Sequence, residues 1–118
     1  MRGRPIRYVL EGHEVKATPF TESDPEYFMG MCVTIAENWF GHEAIGEIHV
    51  STIFLGIDHA HGFNARPLLF ETMIFGGGED IDLYQVRCCT WDEAMEEHAK
   101  AIEIVKNAFA KLAEISGA

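Results

Sequence analysis

Long apolar runs and paired cysteines are two features that this sequence lacks. No apolar run approaches the roughly 20 residues that a membrane-spanning helix needs, and the first residues, Met1-Arg-Gly-Arg-Pro5, lack the apolar stretch of a signal peptide. We therefore expect a cytoplasmic protein with no membrane partner. The three cysteines, Cys32, Cys88 and Cys89, form no Cys-x-x-Cys pair, which argues against a disulfide framework and against a structural zinc site of the usual spacing.

Basic residues are scarce as well. The chain has 9 Lys and Arg against 19 Asp and Glu, a formal net charge of -10. A surface of this sign repels phosphates, so we expect no nucleic-acid ligand. It is compatible with a protein partner that presents a basic surface, and also with a charge that serves only solubility. The 118 residues are enough for a single domain, 1–118, around one two-layer core.

The common fingerprints of catalysis and cofactor binding are missing too. Gly76-Gly-Gly78 is followed by Glu79 and Asp80 rather than by Lys and a helix, so it is not a Walker phosphate loop. The chain also has no Gly-x-Ser-x-Gly elbow. We expect no cofactor, and the sequence leaves open whether the protein is an enzyme.

The first third of the chain predicts a hairpin and a helix. Strand-like runs at 6–10 and 14–18 flank Gly12, which can supply the positive φ of a tight turn. Ser23 and Glu26 form a capping box, and a helix is expected over about 24–39. Its apolar stripe would consist of Tyr27, Phe28, Met31, Ile35 and Trp39.

The rest of the chain predicts a meander and a second helix. Strand-like runs occupy 46–58, 68–75 and 83–89, and a capping box at Thr90–Glu93 opens a helix over 91–115 with a clear apolar stripe. The predicted fold class is α+β: an antiparallel β-meander with an N-terminal hairpin, covered on one face by two helices, about 24–39 and 91–115.

His98 is the first candidate functional residue. It lies on the apolar stripe of the last helix, so we expect it to face the sheet and to need hydrogen-bond partners there. Two interpretations stay open: a core histidine satisfied by a carbonyl or a Thr hydroxyl, or a catalytic acid, base or ligand at the seam between helix and sheet.

A second group of candidates surrounds the loop after residue 58. His59 and His61 have a spacing that can chelate a metal from an extended segment, with Asp58 or Glu71 as a third ligand. The plainer interpretation is that Asp58 caps a turn. Glu71 lies within an apolar run, where a charge must be paired or exposed. It could act as a base near His98, or it could form a cross-strand pair with Arg87.

Four segments resemble a family of small uncharacterised proteins from bacteria and their phages. They are Tyr8-Val-Leu-Glu-Gly-His13, Val50-Ser-Thr-Ile-Phe-Leu-Gly-Ile-Asp-His59, Pro67-Leu-Leu-Phe-Glu-Thr-Met-Ile-Phe-Gly-Gly77, and Tyr84 with Thr90-Trp-Asp-Glu-Ala94 and His98. The resemblance implies a phage or prophage context. It implies no activity and no catalytic residue, and the loop after His59 departs from the family's pattern of an aromatic and glycines.

Three functions follow as hypotheses. The first is a small accessory or binding protein that acts by contact and forms a homo-oligomer, because the run Phe70–Phe75 is apolar on both faces and suggests a subunit interface. The second is a metal-assisted hydrolase using Asp58, His59 and His98 with Glu71 as base. The third is an acidic counter-defence decoy that occupies a nucleic-acid-binding partner.

Overall fold

The N-terminal strands form the expected hairpin. The computed structural model describes residues 6–19, 33–56, 66–77 and 84–115. Within it, β1 (Ile6–Glu11) and β2 (Glu14–Pro19) pair antiparallel. Gly12 turns the chain with a φ of 61°, a conformation that a side chain would strain.

This hairpin packs Tyr8, Leu10 and Val15 against the core around Phe70, and two specific contacts fix its position. The Tyr8 backbone N–H donates to the carbonyl of Gly56 at 2.7 Å. The imidazole of His13 stacks on the indole of Trp91, with ring centroids 4.0 Å apart. The hairpin is therefore docked against the end of the molecule at which the final helix begins.

A four-stranded antiparallel sheet forms the centre of the described structure, in the order β3-β4-β5-β6. Each strand pairs with the next one along the chain, as in a meander. Gly76, with a φ of 88°, follows β5 at a place where a Cβ would collide with the carbonyl of Glu47. The strands are β3 (Val33–His42), β4 (Gly46–Phe54), β5 (Phe70–Phe75) and β6 (Gln85–Cys88).

The helix expected over 24–39 is wrong from residue 33 onward, because β3 occupies that sequence and continues to His42. A register shift between Thr34 and Ala36 marks a β-bulge at Ile35. Ile35 packs towards the hydrophobic core, whereas Trp39 pairs with His49 on the other side of the sheet. Residues 24–32 lie outside the described ranges.

The final helix, α1 (Trp91–Ile115), begins and ends where the pattern predicted. The capping box is confirmed, since the Glu93 N–H donates to Thr90 Oγ1 and the Thr90 N–H donates to Glu93 Oε1, both at 3.1 Å. No helix in the described ranges is long and apolar enough to cross a membrane. The coarse expectation of an α+β fold with antiparallel strands is confirmed, but the expected cover of two helices is wrong: among the described residues, α1 is the only helix that packs on the sheet.

Side chains alternate between two faces of the sheet, and only one face meets α1. We call it the covered face; it holds Ile48, Val50, Thr52, Phe54, Phe70, Thr72 and Ile74, all buried. We call the opposite side the open face. Its described side chains are Thr34, Glu37, Trp39, Glu47, His49, Ser51, Ile53, Glu71, Met73, Phe75, Gln85 and Arg87.

Candidate functional site

His98 lies between α1 and the covered face and is 6% exposed. Its Nδ1 is 2.8 Å from Thr52 Oγ1 and its Nε2 is 2.8 Å from Asn38 Oδ1. Thr52 Oγ1 is in turn 2.7 Å from Thr72 Oγ1, on the neighbouring strand. Both ring nitrogens therefore have neutral partners, and a Thr hydroxyl is one of them, as the structural interpretation of this histidine predicted.

The hydrogen bonds around His98 have a single consistent direction. An amide oxygen can only accept, so Nε2 carries the proton and donates to Asn38. Nδ1 of the neutral ring then accepts from Thr52, and Thr52 accepts from Thr72. Burial lowers the pKa of His98 below its ordinary value of 6.5, and the nearby His49 lowers it further. The ring is thus held neutral, in one tautomer.

Glu71 lies on the open face and is 7% exposed. Arg87 Nε donates to its Oε2 at 2.8 Å, and Gln85 Nε2 donates to the same oxygen at 2.7 Å. The cross-strand pair with Arg87 that the sequence suggested is therefore present. The carboxylate, although buried, is compensated by two donors from β6.

The structure does not bring the sequence-predicted site residues together. His98 bonds Thr52 on the covered face, whereas Glu71 pairs with Arg87 on the opposite face, so the sheet itself separates the two. Asp58, His59 and His61 lie outside the described residues. Among the residues that are described, no three His, Cys, Asp or Glu side chains are grouped so that they could hold a metal ion.

The cysteines of β6 and the following bend are free thiols. Burial, followed by the charges of Glu93 and Glu97, raises the pKa of Cys88 to about 12. At neutral pH this side chain is a thiol and not a thiolate, so it is a poor nucleophile. Cys88 serves as a small core residue beside Phe70 and Ala94.

An aromatic row on the open face was not predicted from the sequence. The indole of Trp39 stacks on the imidazole of His49 with centroids 3.9 Å apart and planes 3° apart, and His49 lies 5.8 Å from Phe75. His49 Nε2 is also 3.0 Å from Glu37 Oε2. Trp39 remains 60% exposed and Phe75 45% exposed, which is unusual for such large apolar side chains.

Trp39 was missed because it had been assigned to the apolar stripe of a helix. The β-branched run Val33-Thr-Ile35 is typical of a strand. That signal was available, but the bulge at Ile35 interrupts its period.

A shallow hollow of about 70 Å³ lies beside the aromatic row on the open face. It is lined by Ser51, Ile53, Glu71, Met73 and Phe75, so its wall is mostly apolar. The open face thus combines a protruding indole, a recess and several compensated charges.

No protein-family model, curated protein or solved structure was found that matches this chain significantly.

Proposed function

We propose that this chain is a small accessory protein that acts by contact and not by turnover, and that its contact surface is the open face, which pairs with a second copy of the chain. The observation that carries the proposal is the exposure of Trp39 and Phe75 on the same face of the sheet. The motif resemblance supports a phage or prophage setting for this protein.

Exposed aromatic side chains support a contact surface because aromatic residues are enriched where proteins meet. Val33 is the third large exposed apolar side chain in the described part of the chain. It opens the edge strand β3 and pairs in register with Phe54 of the covered face, so it lies outside the row formed by Trp39, His49 and Phe75.

The charges of the open face also support pairing with a copy of itself. Glu71 is compensated by Arg87 and Gln85, and Glu37 contacts the His49 ring. Burying these groups against another sheet would therefore not leave an unpaired carboxylate at the centre of the interface. This matters in a chain with a net charge of -10, since an uncompensated acidic face would repel its own copy.

The size of the face sets the expected affinity. Four strands about 4.8 Å apart, paired over about six residues of 3.3 Å each, present roughly 20 by 20 Å. This area is below the roughly 800 Å² per partner of a standard interface. We therefore expect association at micromolar concentration rather than a permanent dimer.

Light scattering coupled to size-exclusion chromatography over a range of micromolar concentrations tests the proposal. The parent protein should shift from monomer to dimer mass as the concentration rises. Trp39→Ser should remain monomeric at every concentration, because it removes the most exposed apolar group of the face. Thermal unfolding of each variant verifies that it is folded.

Val33→Ser is the matched control, since it removes an apolar side chain that is 54% exposed and outside the aromatic row. It should dimerise like the parent. A parent protein that is monomeric throughout the range would overturn the proposal, as would a Trp39→Ser variant that dimerises as well as the parent.

A further inference from the structure

We infer that the two copies meet face to face across a two-fold axis parallel to the strands, so that β3 of each copy lies over β6 of the other. This inference rests on the proposed function, because it specifies the geometry of the same interface. It is carried by the distribution of charge and shape across the open face.

The two edges of the open face carry opposite charge. On β3, Glu37 has a side chain 50% exposed; on β6, Arg87 has a side chain 36% exposed. Glu37, Ser51, Met73 and Gln85 form one row across the sheet, because each is the register partner of the next. Arg87 belongs to the adjacent row and lies two residues from Gln85 on the same strand.

A two-fold axis along the strands exchanges the edges while it keeps the rows. The Glu37 carboxylate of one copy then lies over Gln85 and near Arg87 of the other copy, and the same contact is repeated on the other side of the axis, as an isologous interface requires. Each Glu37 carboxylate meets donors on the facing sheet, which favours this arrangement electrostatically.

A two-fold axis across the strands would have the opposite effect. It keeps each strand over its own copy and reverses the order of the rows, so β3 would face β3, and Glu37 would face Glu37 of the second copy when the axis passes through its row. Glu47 lies on the same face, two residues from His49 along β4, and would add to the acidic charge. Like charges facing each other in a partly desolvated interface are unfavourable.

The shape of the open face is compatible with the axis along the strands. The hollow lies between the two central strands, because Ser51 and Ile53 of β4 and Glu71, Met73 and Phe75 of β5 line it. When β3 of one copy lies over β6 of the other, β4 lies over β5, so the hollows of the two copies face each other across the axis. Sheets that pack face to face are separated by about 10 Å, a gap that interdigitating side chains fill.

Engineered cysteines test the geometry directly. Residues 37 and 85 of one chain are three strand spacings apart in the sheet, or about 14 Å. Facing sheets lie about 10 Å apart, beyond the roughly 7 Å between Cα atoms that a disulfide allows, so the thiols are joined with a short bismaleimide linker and not by oxidation. With this linker, the double variant Glu37→Cys/Gln85→Cys should run predominantly as a covalent dimer on a denaturing gel, whereas a link within one chain would leave it at monomer mass.

Mixing the two single variants sharpens the test. Glu37→Cys mixed with Gln85→Cys should give a covalent heterodimer, while Glu37→Cys alone should give no more than the parent, whose own cysteines set the background. As a matched control, Gln85→Cys combined with Glu103→Cys places the second thiol on an exposed position of α1 and should stay at background.

The failure of this inference is distinguishable from the failure of the proposed function. If the parent dimerises and Trp39→Ser abolishes the dimer, but the 37–85 pair stays at background, the open face is the interface and the inferred axis is wrong. Efficient cross-linking of Glu37→Cys alone would likewise reject the axis, because it would place β3 against β3. A parent that never dimerises rejects both proposals.

Discussion

Two phenylalanines of β5 illustrate how differently the two faces of the sheet are used. Phe70 lies on the covered face and is 0% exposed, with its ring 5.3 Å from Phe54 and 6.5 Å from Trp91. Phe75 lies on the open face and is 45% exposed beside His49. The same residue type, in one short strand, thus serves the hydrophobic core in one case and an available surface in the other.

The polar groups of the two faces differ in the same way. On the covered face, Thr72, Thr52, His98 and Asn38 satisfy one another as a neutral chain beneath α1. On the open face the buried carboxylate of Glu71 accepts hydrogen bonds from Arg87 and Gln85 of the edge strand β6. A neutral network suits a permanently dry interior, whereas compensated charges suit a surface that is wet in the monomer and dry in a complex.

The largest expected effect is the difference in stability between variants of Phe70 and Phe75. Phe70→Ala should lower the free energy of unfolding by about 3–5 kcal/mol, because it leaves a cavity among Phe54, Leu69 and Ala94. Phe75→Ala should lower it by about 1 kcal/mol or less, because nearly half of that side chain is already in water. Urea unfolding of the monomeric proteins measures both, and similar losses would contradict the distinction between the faces.

The next effect comes from the neutral chain beneath α1. Thr52→Val preserves the shape but leaves Nδ1 of His98 without its donor, which should cost about 1–3 kcal/mol. Ser51→Ala, one residue away on the open face, removes a buried hydroxyl that has no hydrogen-bond partner among the described residues, so it should change the free energy of unfolding by about 0.5 kcal/mol or less. If the two substitutions have the same effect in urea unfolding, the chain around His98 contributes no stability.

A third prediction concerns pH. The pKa of His98 is lower in the folded protein than its ordinary value of 6.5. Below about pH 6.5 the histidine is therefore protonated in the unfolded chain while it is still neutral in the folded chain. The stability due to the neutral ring is therefore complete above that pH and is lost as the pH falls below it, at about 1.4 kcal/mol for each unit of pKa difference. Urea unfolding at a series of pH values from about 7.5 to about 5, the range in which histidine ordinarily titrates, should show the loss.

His98→Gln is the control for that series, because Gln can bond both Thr52 and Asn38 yet does not titrate. Its unfolding free energy should be less dependent on pH over this range than that of the parent. Glu93 does not affect this comparison. The hydrogen bond from the Cys89 backbone N–H lowers the pKa of Glu93 from 4.5, so the stability that this carboxylate contributes is lost only in more acidic solution. Equal pH dependence in the two proteins would exclude His98 as the cause.

The sequence predicted the elements whose pattern is local and uninterrupted. Three such elements are present: the hairpin at Gly12, the capping box at Thr90, and the apolar stripe of α1 that turns His98 towards the sheet. Each depends on the pattern of residues close together in the sequence. The pairing of Glu71 with Arg87 was predicted as one of two alternatives, and the register of β5 and β6 selects it.

The strand β3 was not predicted from the sequence, for a physical reason. Ile35 and Trp39 are spaced four residues apart, which fits one face of a helix as well as one face of a regular strand. The bulge near Ile35 sends these two side chains to opposite faces, so neither simple period describes the segment. Because Trp39 depends on this bulge for its position, the open face could not be predicted before the strand pairing was known.

The smallest expected effect tests whether the open face contributes to folding at all. Glu37→Gln removes a carboxylate whose side chain is half exposed and 3.0 Å from His49 Nε2, while its amide oxygen can still accept a hydrogen bond. Exposed ion pairs contribute about 0–1 kcal/mol, so the free energy of unfolding should change by less than about 0.5 kcal/mol. Glu37→Arg should be similarly stable as a monomer but should weaken dimerisation, because in the inferred dimer it places a cation over Gln85 and near Arg87 of the second copy. A loss of stability as large as that of Phe70→Ala would show that the open face belongs to the folding core, and the comparison between the two faces would no longer hold.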